Sequence, residues 1–499
     1  MTVPRLSLTA LDTAHRASHG PRVVGPATDP RALRIGVVHL GLGAFHRAHQ
    51  ALYTEDAAAA AGDERWGVLG VTQRSARVVD QLRPQDGLYG ILTTDAATSS
   101  LRLVGCIRDA VFPRTEAARV LDALAAPATH VVTLTVSEKG YRRTADGAPD
   151  LADPDLAADL AALRREVAGR PDDAPGASPV GLLVRGLARR FATTGGAPLT
   201  VASCDNLVGN GLVLQGLVDA VLAVVPGAGP LRDWVARDVR FPSTMVDRIT
   251  PATTARHHAE AEQLLGLRDE ALVAAEPFRQ WVVEDRFAGP RPAWERAGAT
   301  LTDDVTPYEQ AKLRLLNGTH SAVAYLGALR GHRTIAAAVA DPDVAATARH
   351  LQSDVVRTLH AADGLDLDDY RATVLARFAN PAIGHLTLQV AADGSQKLPQ
   401  RILGPVTELL DRGVVPTAAA RALAAWVVFV GRGRDRTGRT LPLDDPLAGR
   451  LRDAAAGPDA TLADRMLGVT EVFPAAVAGH DGFRAALRAE VADLLREVR

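Results

Sequence analysis

The chain has 499 residues, enough for two domains or three, each with its own core. A formal net charge of −2 gives no bulk attraction for nucleic acid or an anionic membrane, so neither partner is expected. Two cysteines, Cys106 and Cys204, follow no metal spacing and no disulfide framework, and no segment reaches the ~18 apolar residues of a spanning helix, which points to a cytoplasmic enzyme or binding protein.

In chain order, Arg34-Ile-Gly-Val-Val-His-Leu-Gly-Leu-Gly43 reads as a buried strand entering a glycine turn, with a helix from about Phe45 to Ala61. A second strand spans Trp66–Thr72, and an amphipathic helix from Ala76 is stopped by Pro84. Strands are expected at Tyr89–Thr94, Leu101–Ile107 and 130–137, with a helix at 115–125. This alternation argues a parallel sheet with right-handed crossovers. Residues 142–177, rich in Asp, Ala, Pro and Gly, are expected to be a peripheral insertion with one helix at 156–168. A helix at 179–193, a strand at 198–203 and a helix at 211–225 resume the alternation. Beyond Pro251 the β signal fades, apart from a short strand pair near 281–301. Helices are expected at 255–265, 307–329, 333–362, 367–378, 398–412, 417–430 and 480–498, and the domain boundary near residue 290.

Gly41-Leu-Gly-Ala44-Phe45-His46 lies where a dinucleotide fold places its phosphate loop. Gly41 permits a tight turn, and Gly43 lets the backbone approach a pyrophosphate that the helix N-terminus attracts. His46 stands where the third glycine of the usual motif would be, and an ordinary strand-to-helix turn is the alternative. After the second strand, Gln73-Arg74 takes the place of the acid that would hold an adenosine ribose. Arg74 suits a 2′-phosphate or simply starts a solvated helix, so NAD and NADP both stay open.

Of the 56 basic residues only Lys139, Lys312 and Lys397 are lysines. Arginine replaces lysine wherever charge alone matters, but not where an amine must lose its proton. Lys312 falls in a stretch, 307–321, that also carries Asn317 and His320; on an α-helix the three side chains lie within an arc of about 140°. Glu309, one turn earlier, either relays a proton to solvent or forms a simple helix ion pair with Lys312. Asn206 closes a strand at the carboxyl edge of the sheet, where open α/β folds bind ligands, and its amide, with that of Asn317, suits the oxygen of a reacting carbinol. No His, Cys or Glu cluster has ligand spacing, so metal-free chemistry is favoured.

Five stretches together resemble one family. They are Gly41-Leu-Gly-Ala-Phe-His-Arg-Ala-His-Gln50, Thr135-Val-Ser-Glu-Lys-Gly-Tyr141, Ser203-Cys-Asp-Asn206, Phe241-Pro-Ser-Thr-Met-Val-Asp-Arg-Ile-Thr-Pro251 and Lys312-Leu-Arg-Leu-Leu-Asn-Gly-Thr-His-Ser321. In this order they resemble the signatures of the long-chain mannitol dehydrogenase family, which includes mannitol 2-dehydrogenase, arabinitol dehydrogenase and fructuronate reductase. The resemblance implies an α/β fold class: a Rossmann-type dinucleotide-binding domain over 1–290, then a mostly α-helical C-terminal domain over 291–499, with a cleft between them. It implies zinc-free hydride transfer between NAD and an open-chain sugar alcohol or its keto sugar or uronate.

Carried over by position, the resemblance makes Lys312 the base, Asn206 and Asn317 the carbonyl-polarising amides, His320 the substrate-positioning imidazole and Glu309 the proton exit. Asp247 and Lys397 become further substrate contacts, and the resemblance accounts for His46 in the loop; Gly41, Gly43, Ala44, Phe45, His46 and Arg74, read from the loop and the end of the second strand, are the candidate cofactor residues. Lys139 stands where mannitol-oxidising members are expected to carry Gly, and Glu-Lys-Gly-Tyr resembles the fructuronate reductase branch. A cation there suits a substrate carboxylate, while Arg142 and Arg143 leave a phosphorylated polyol open. A non-catalytic nucleotide-binding regulator and a 3-hydroxy-acid dehydrogenase are the alternatives from other classes.

Overall fold

The structure, a computed structural model, describes residues 3–15, 22–94, 98–144, 146–360 and 362–498. Its chain contacts divide it into two units, Met1–Val305 and Thr306–Arg499. Among the described residues thirteen strands, all in the first unit, are β1 (Val23–Val24), β2 (Ile35–Leu40), β3 (Gly67–Val71), β4 (Tyr89–Thr94), β5 (Ser99–Val104), β6 (Ile107–Val111), β7 (Val131–Leu134), β8 (Leu199–Ser203), β9 (Val239–Arg240), β10 (Thr244–Asp247), β11 (Val273–Ala275), β12 (Gln280–Glu284) and β13 (Thr300–Thr302).

Six of these form a parallel sheet in the order β6-β3-β2-β7-β8-β9. Its strands are continuous apolar runs because helices cover both faces; β3, β7 and β8 are buried along their whole length. From β2 the chain steps outward to β3 and β6, then returns to β7 on the other side of β2. The carboxyl ends of β2 and β7 therefore flank the topological switch point, the crevice where open α/β sheets bind ligands. This is the order of a Rossmann-type dinucleotide domain.

The strand expected over 101–107 is two strands in different sheets. β5 runs antiparallel to β4 within the sheet β1-β5-β4-β11, whereas β6 joins the main sheet. The break falls at Gly105, whose amide donates to the buried Glu55 carboxylate at 2.5 Å. A third sheet, β10-β12-β13, places the unit boundary after residue 290, because β13 pairs in parallel with β12 and so keeps residues 300–302 in the first unit.

The segment expected to be peripheral contributes to the core. Helix Pro154–Val167 buries Leu156, Leu160 and Leu163 against the sheet's own helical layer. It is tied to helix Pro179–Thr194 by a buried cluster in which Asp159 accepts from the Ser178 amide (2.7 Å), the Ser178 hydroxyl (2.8 Å) and Arg185 Nη1 (3.2 Å). Arg185 also donates to Glu166 and to the carbonyls of Asp172 and Ala174.

The second unit contains helices and no strand among its described residues. Its core gathers Tyr325, Trp426, Phe429 and Phe473. The helix expected over 307–329 has three parts: an α-turn Thr306–Ala311, a π-helical segment Lys312–Gly318 and an α-helix Thr319–Leu329. Another π segment, Pro399–Leu403, interrupts the helix expected over 398–412. Among the described residues, no helix is long and apolar enough to cross a membrane.

The Asp159–Arg185 cluster gives a stability prediction. Asp159→Ala removes one of the two carboxylates of a fully buried guanidinium, leaving only Glu166, and strands the Ser178 amide and hydroxyl; urea denaturation should show a loss of about 3 kcal/mol, against the 0–1 kcal/mol typical of an exposed ion pair.

Candidate active site

In the first unit the expected cofactor residues surround the end of β2. Gly41 has φ +103°, and a Cβ there would collide with the Thr135 carbonyl oxygen, so only glycine lets β2 turn this close to the end of β7. The Gly41 and Leu42 amides are both spent on Val71 O, at 2.8 and 2.9 Å. Gly43 is the N-cap of helix Ala44–Ala48 and supplies no capping side chain, so the first-turn amides at Ala44, Phe45 and His46 keep no carbonyl partner one turn earlier. A Cβ at Gly43 would meet nothing nearer than Gly41 O at 3.6 Å. A turn of bare backbone with unspent amides fits a pyrophosphate.

The helix expected from Phe45 to Ala61 is broken at His49, which has φ −126° and ψ −89° and whose Nε2 bonds Gln280 O at 2.8 Å. The short first piece is held by two buried arginines. Arg47 donates to Gly43 O (3.2 Å) and Ala271 O, and Arg248 donates to Ala48 O and to Glu276 O (2.8 Å). Burial brings Arg248 down to about 10.

Beneath the turn lies a chain of hydrogen bonds. Thr135 Oγ1 donates to Gly41 O (3.0 Å), so at 2.9 Å it accepts from His39 Nε2–H; His39 Nδ1 then accepts from the Thr133 hydroxyl at 2.8 Å. Burial lowers His39 to about 3 and keeps it neutral. His46 stacks on it with ring centroids 3.4 Å apart, and burial followed by the neighbouring His39 pushes His46 well below its usual value.

Lys139 is exposed in a single 3-10 turn, Glu138–Tyr141, that follows β7. Asn206 is exposed just past β8, Asp247 is buried at the end of β10, and Arg74 is exposed past β3. The ends of β7, β8 and β10 are joined by residues to which the sequence assigned no role. Asp205 accepts from the amides of Val136 (3.1 Å) and Ser137 (2.7 Å) and from the Tyr141 hydroxyl (2.9 Å). Asn210 spans β8 to β10, donating to Asp205 O (2.9 Å) and Thr244 O (2.8 Å) and accepting from Thr244 N (2.9 Å). Asn210 was open to discovery by the same scarcity that marked the lysines, being one of four asparagines in the chain.

In the second unit, Glu309 lies half-buried in the α-turn, Lys312 opens the π segment half-buried, and Asn317 near its end and His320 just beyond are buried. A fixed 100° step per residue therefore does not relate the three side chains, as it would on the expected α-helix. The widened turn sits against the second π segment at Gly318, where a Cβ would stand 2.8 Å from Arg401 O. π segments are rare and recur at functional sites.

His320 stacks on Phe378 at 4.6 Å and meets His385 edge-on at 4.9 Å. Burial, then the neighbouring His385 and the cationic Arg401, Arg377 and Lys397, drive its pKa well below the usual value, so it is a neutral imidazole. Arg401 donates to the Ser321 hydroxyl at 3.2 Å and reaches Asn317 O at 3.5 Å, and Lys397 Nζ donates to Ala392 O at 2.6 Å. The second unit thus brings His320 and Asn317 together with Lys397 and with Arg401, which the sequence did not single out. Among the described residues no group of three His, Cys, Asp or Glu side chains is placed to hold a metal ion.

The sheet order and the glycine turn define a dinucleotide-dependent enzyme fold. Residues 35–296 match the mannitol dehydrogenase Rossmann domain and residues 304–495 the mannitol dehydrogenase C-terminal domain. The D-mannonate oxidoreductase of Escherichia coli (strain K12) is 38% identical over 461 residues, covering 90% of this chain and 91% of its own. The mannitol 2-dehydrogenase of Cereibacter sphaeroides is 37% identical over 454 residues, covering 90% and 92%. The Pseudomonas fluorescens mannitol 2-dehydrogenase, solved as a ternary complex with NAD and D-mannitol, superposes with a TM-score of 0.82 at 34% identity, covering 99% of this chain and 97% of that one. The chain belongs to the mannitol dehydrogenase family and is an oxidoreductase of that family.

Gly41→Ala forces a side chain into a positive φ and against Thr135. It should destabilise the first unit by about 1–3 kcal/mol in thermal or urea unfolding and weaken dinucleotide binding more than tenfold in a fluorescence titration.

Proposed function

We propose that this enzyme interconverts an open-chain polyol or aldonate and its keto form, D-mannitol with D-fructose or D-mannonate with D-fructuronate, using NAD and a lysine base. The observation that carries this proposal is the π segment, which places Lys312 and Asn317 on one widened turn with the neutral His320 directly after it. NAD, when bound, accepts the hydride from the carbinol carbon. Gly41, Gly43, Ala44, Phe45 and His46 would hold its pyrophosphate, and Arg74, exposed past β3, would suit the 2′-phosphate of NADP.

Lys312 takes the hydroxyl proton as the carbinol becomes a carbonyl, which arginine, protonated at every accessible pH, cannot do. The amides of Asn206 and Asn317 donate to the reacting oxygen, and these bonds strengthen as negative charge develops there. His320, neutral, offers one donor and one acceptor to neighbouring hydroxyls, so it orients the polyol without adding charge. Glu309 passes the proton to solvent. Asp247 and Lys397 bind the remaining hydroxyls, and Lys139 pairs with the terminal carboxylate of an aldonate.

Lys139, a cation in the turn after β7, favours the aldonate. A phosphorylated polyol is the second substrate class, motivated by Arg143, since Arg142 is held by Asp153 and Asp155; arabinitol, another substrate of the family, is the third. Two cysteines, both buried and unpaired, support a cytoplasmic location. A net charge of −2 supports a small-molecule partner with no nucleic acid.

Lys312→Ala should lower kcat for NAD-linked oxidation by at least 100-fold, the scale of a lost general base, with NAD affinity kept within about threefold. Assayed across mannitol, mannonate, arabinitol and mannitol 1-phosphate, an undiminished rate on the best substrate would rule out the lysine-base mechanism.

A further inference from the structure

The turn that follows β7 is strained at both ends. Ser137 has φ +65° and ψ 162°, a region of backbone space that glycine occupies almost alone. Arg142 has φ +51° and its guanidinium is clamped by Asp153 (3.2 Å) and Asp155 (2.8 Å). Such a backbone persists only where its surroundings over-determine it, and at Ser137 the determining group is visible. The buried Asp205 carboxylate takes the Ser137 amide at 2.7 Å on one oxygen and the Val136 amide at 3.1 Å on the other. The second oxygen also takes the Tyr141 hydroxyl at 2.9 Å. Tyr141 O in turn accepts from the Ser203 hydroxyl at 2.5 Å, since its own proton is committed to Asp205. The Val136 and Ser137 amides and the Tyr141 hydroxyl converge on the two oxygens of the Asp205 carboxylate, and no neutral side chain of the same size accepts all three.

The location gives this strain its meaning. Residues 136–141 begin where β7 ends, at the switch point of the sheet, and Thr135 both abuts Gly41 and donates to its carbonyl at 3.0 Å. We propose that Asp205 is a positioning residue of the cofactor crevice: by holding Ser137 in a glycine-like conformation it fixes the turn beside the phosphate loop in the form that receives the dinucleotide. This rests on the preceding proposal that NAD binds at that crevice. The same turn carries Lys139, so the clamp also fixes the base of the side chain offered to the substrate carboxylate.

The test uses the full-length chain and NAD fluorescence titration. Asp205→Asn exchanges an acceptor oxygen for an NH2 facing a backbone N–H, and NAD affinity should fall about tenfold. Adding Ser137→Gly removes the need for the clamp, because glycine adopts the strained backbone unaided, and the double variant should return to within threefold of wild type. A merely structural Asp205 would not be rescued by a glycine at a different position. Wild-type affinity in Asp205→Asn, or no recovery in the double variant, overturns the proposal. If Asp205→Asn does not fold by circular dichroism, Tyr141→Phe serves instead: a threefold loss recovered by Ser137→Gly supports the proposal, and an unchanged affinity overturns it. A wild-type chain that binds neither NAD nor NADP defeats the cofactor proposal itself, an outcome distinct from both.

Discussion

The contact on which the rest of the first unit depends is the approach of β2 to β7 at their carboxyl ends, where Gly41 lies against the Thr135 carbonyl oxygen. With any side chain at that position the turn would be pushed off β7, and the phosphate loop with it. The polar chain from Thr133 through His39 and Thr135 to Gly41 O then locks the close approach in one geometry. His39 is kept neutral by burial, so it carries one donor and one acceptor, and each is used. The phosphate loop is thus fixed by the end of β7, and the end of β7 is fixed by Asp205 at the end of β8. Three neighbouring strands determine one turn.

The second unit solves a different problem. Lys312, Asn317 and His320, the groups proposed to act on the substrate, sit on a helix whose π segment spaces side chains differently from an α-helix. The π segment at Lys312–Gly318 supplies that spacing, and the packing of Gly318 against the Arg401 backbone secures it. Burial, reinforced by the positive charges of Arg401, Arg377 and Lys397, keeps the His320 imidazole unprotonated. Such surroundings favour an oxygen-rich, electron-dense ligand over a cationic one.

What the sequence revealed and what it hid follow from the range of the interactions. The strand and glycine turn at 34–43, the alternation that builds the sheet and the three isolated lysines are local patterns, and they were legible. The break at His49 was not, because it depends on a carbonyl 231 residues away. The role of Asp205 was hidden for the same reason, its amide donors lying 69 and 68 residues earlier. The π segment escaped because apolar periodicity over a single turn does not distinguish π from α, and the packing of Gly318 against the distant Arg401 backbone leaves no local pattern. Residues 142–177 looked peripheral because Asp, Ala, Pro and Gly dominate them, yet their Asp159 is buried and bonded to the buried Arg185 of the helix that follows. Composition reports exposure only when charges are not paired in the interior.

The central claim is that this chain moves a hydride from a carbinol carbon of a polyol or aldonate to NAD. The most direct measurement supplies D-mannitol and D-mannonate deuterated at the carbinol carbon to the wild-type enzyme with NAD and follows the nicotinamide by NMR. Deuterium at C4 of the reduced nicotinamide from either substrate, with the matching keto sugar or uronate formed in equal amount, is the predicted result. No transfer from either labelled substrate to NAD or NADP, by an enzyme shown to be folded, would contradict it.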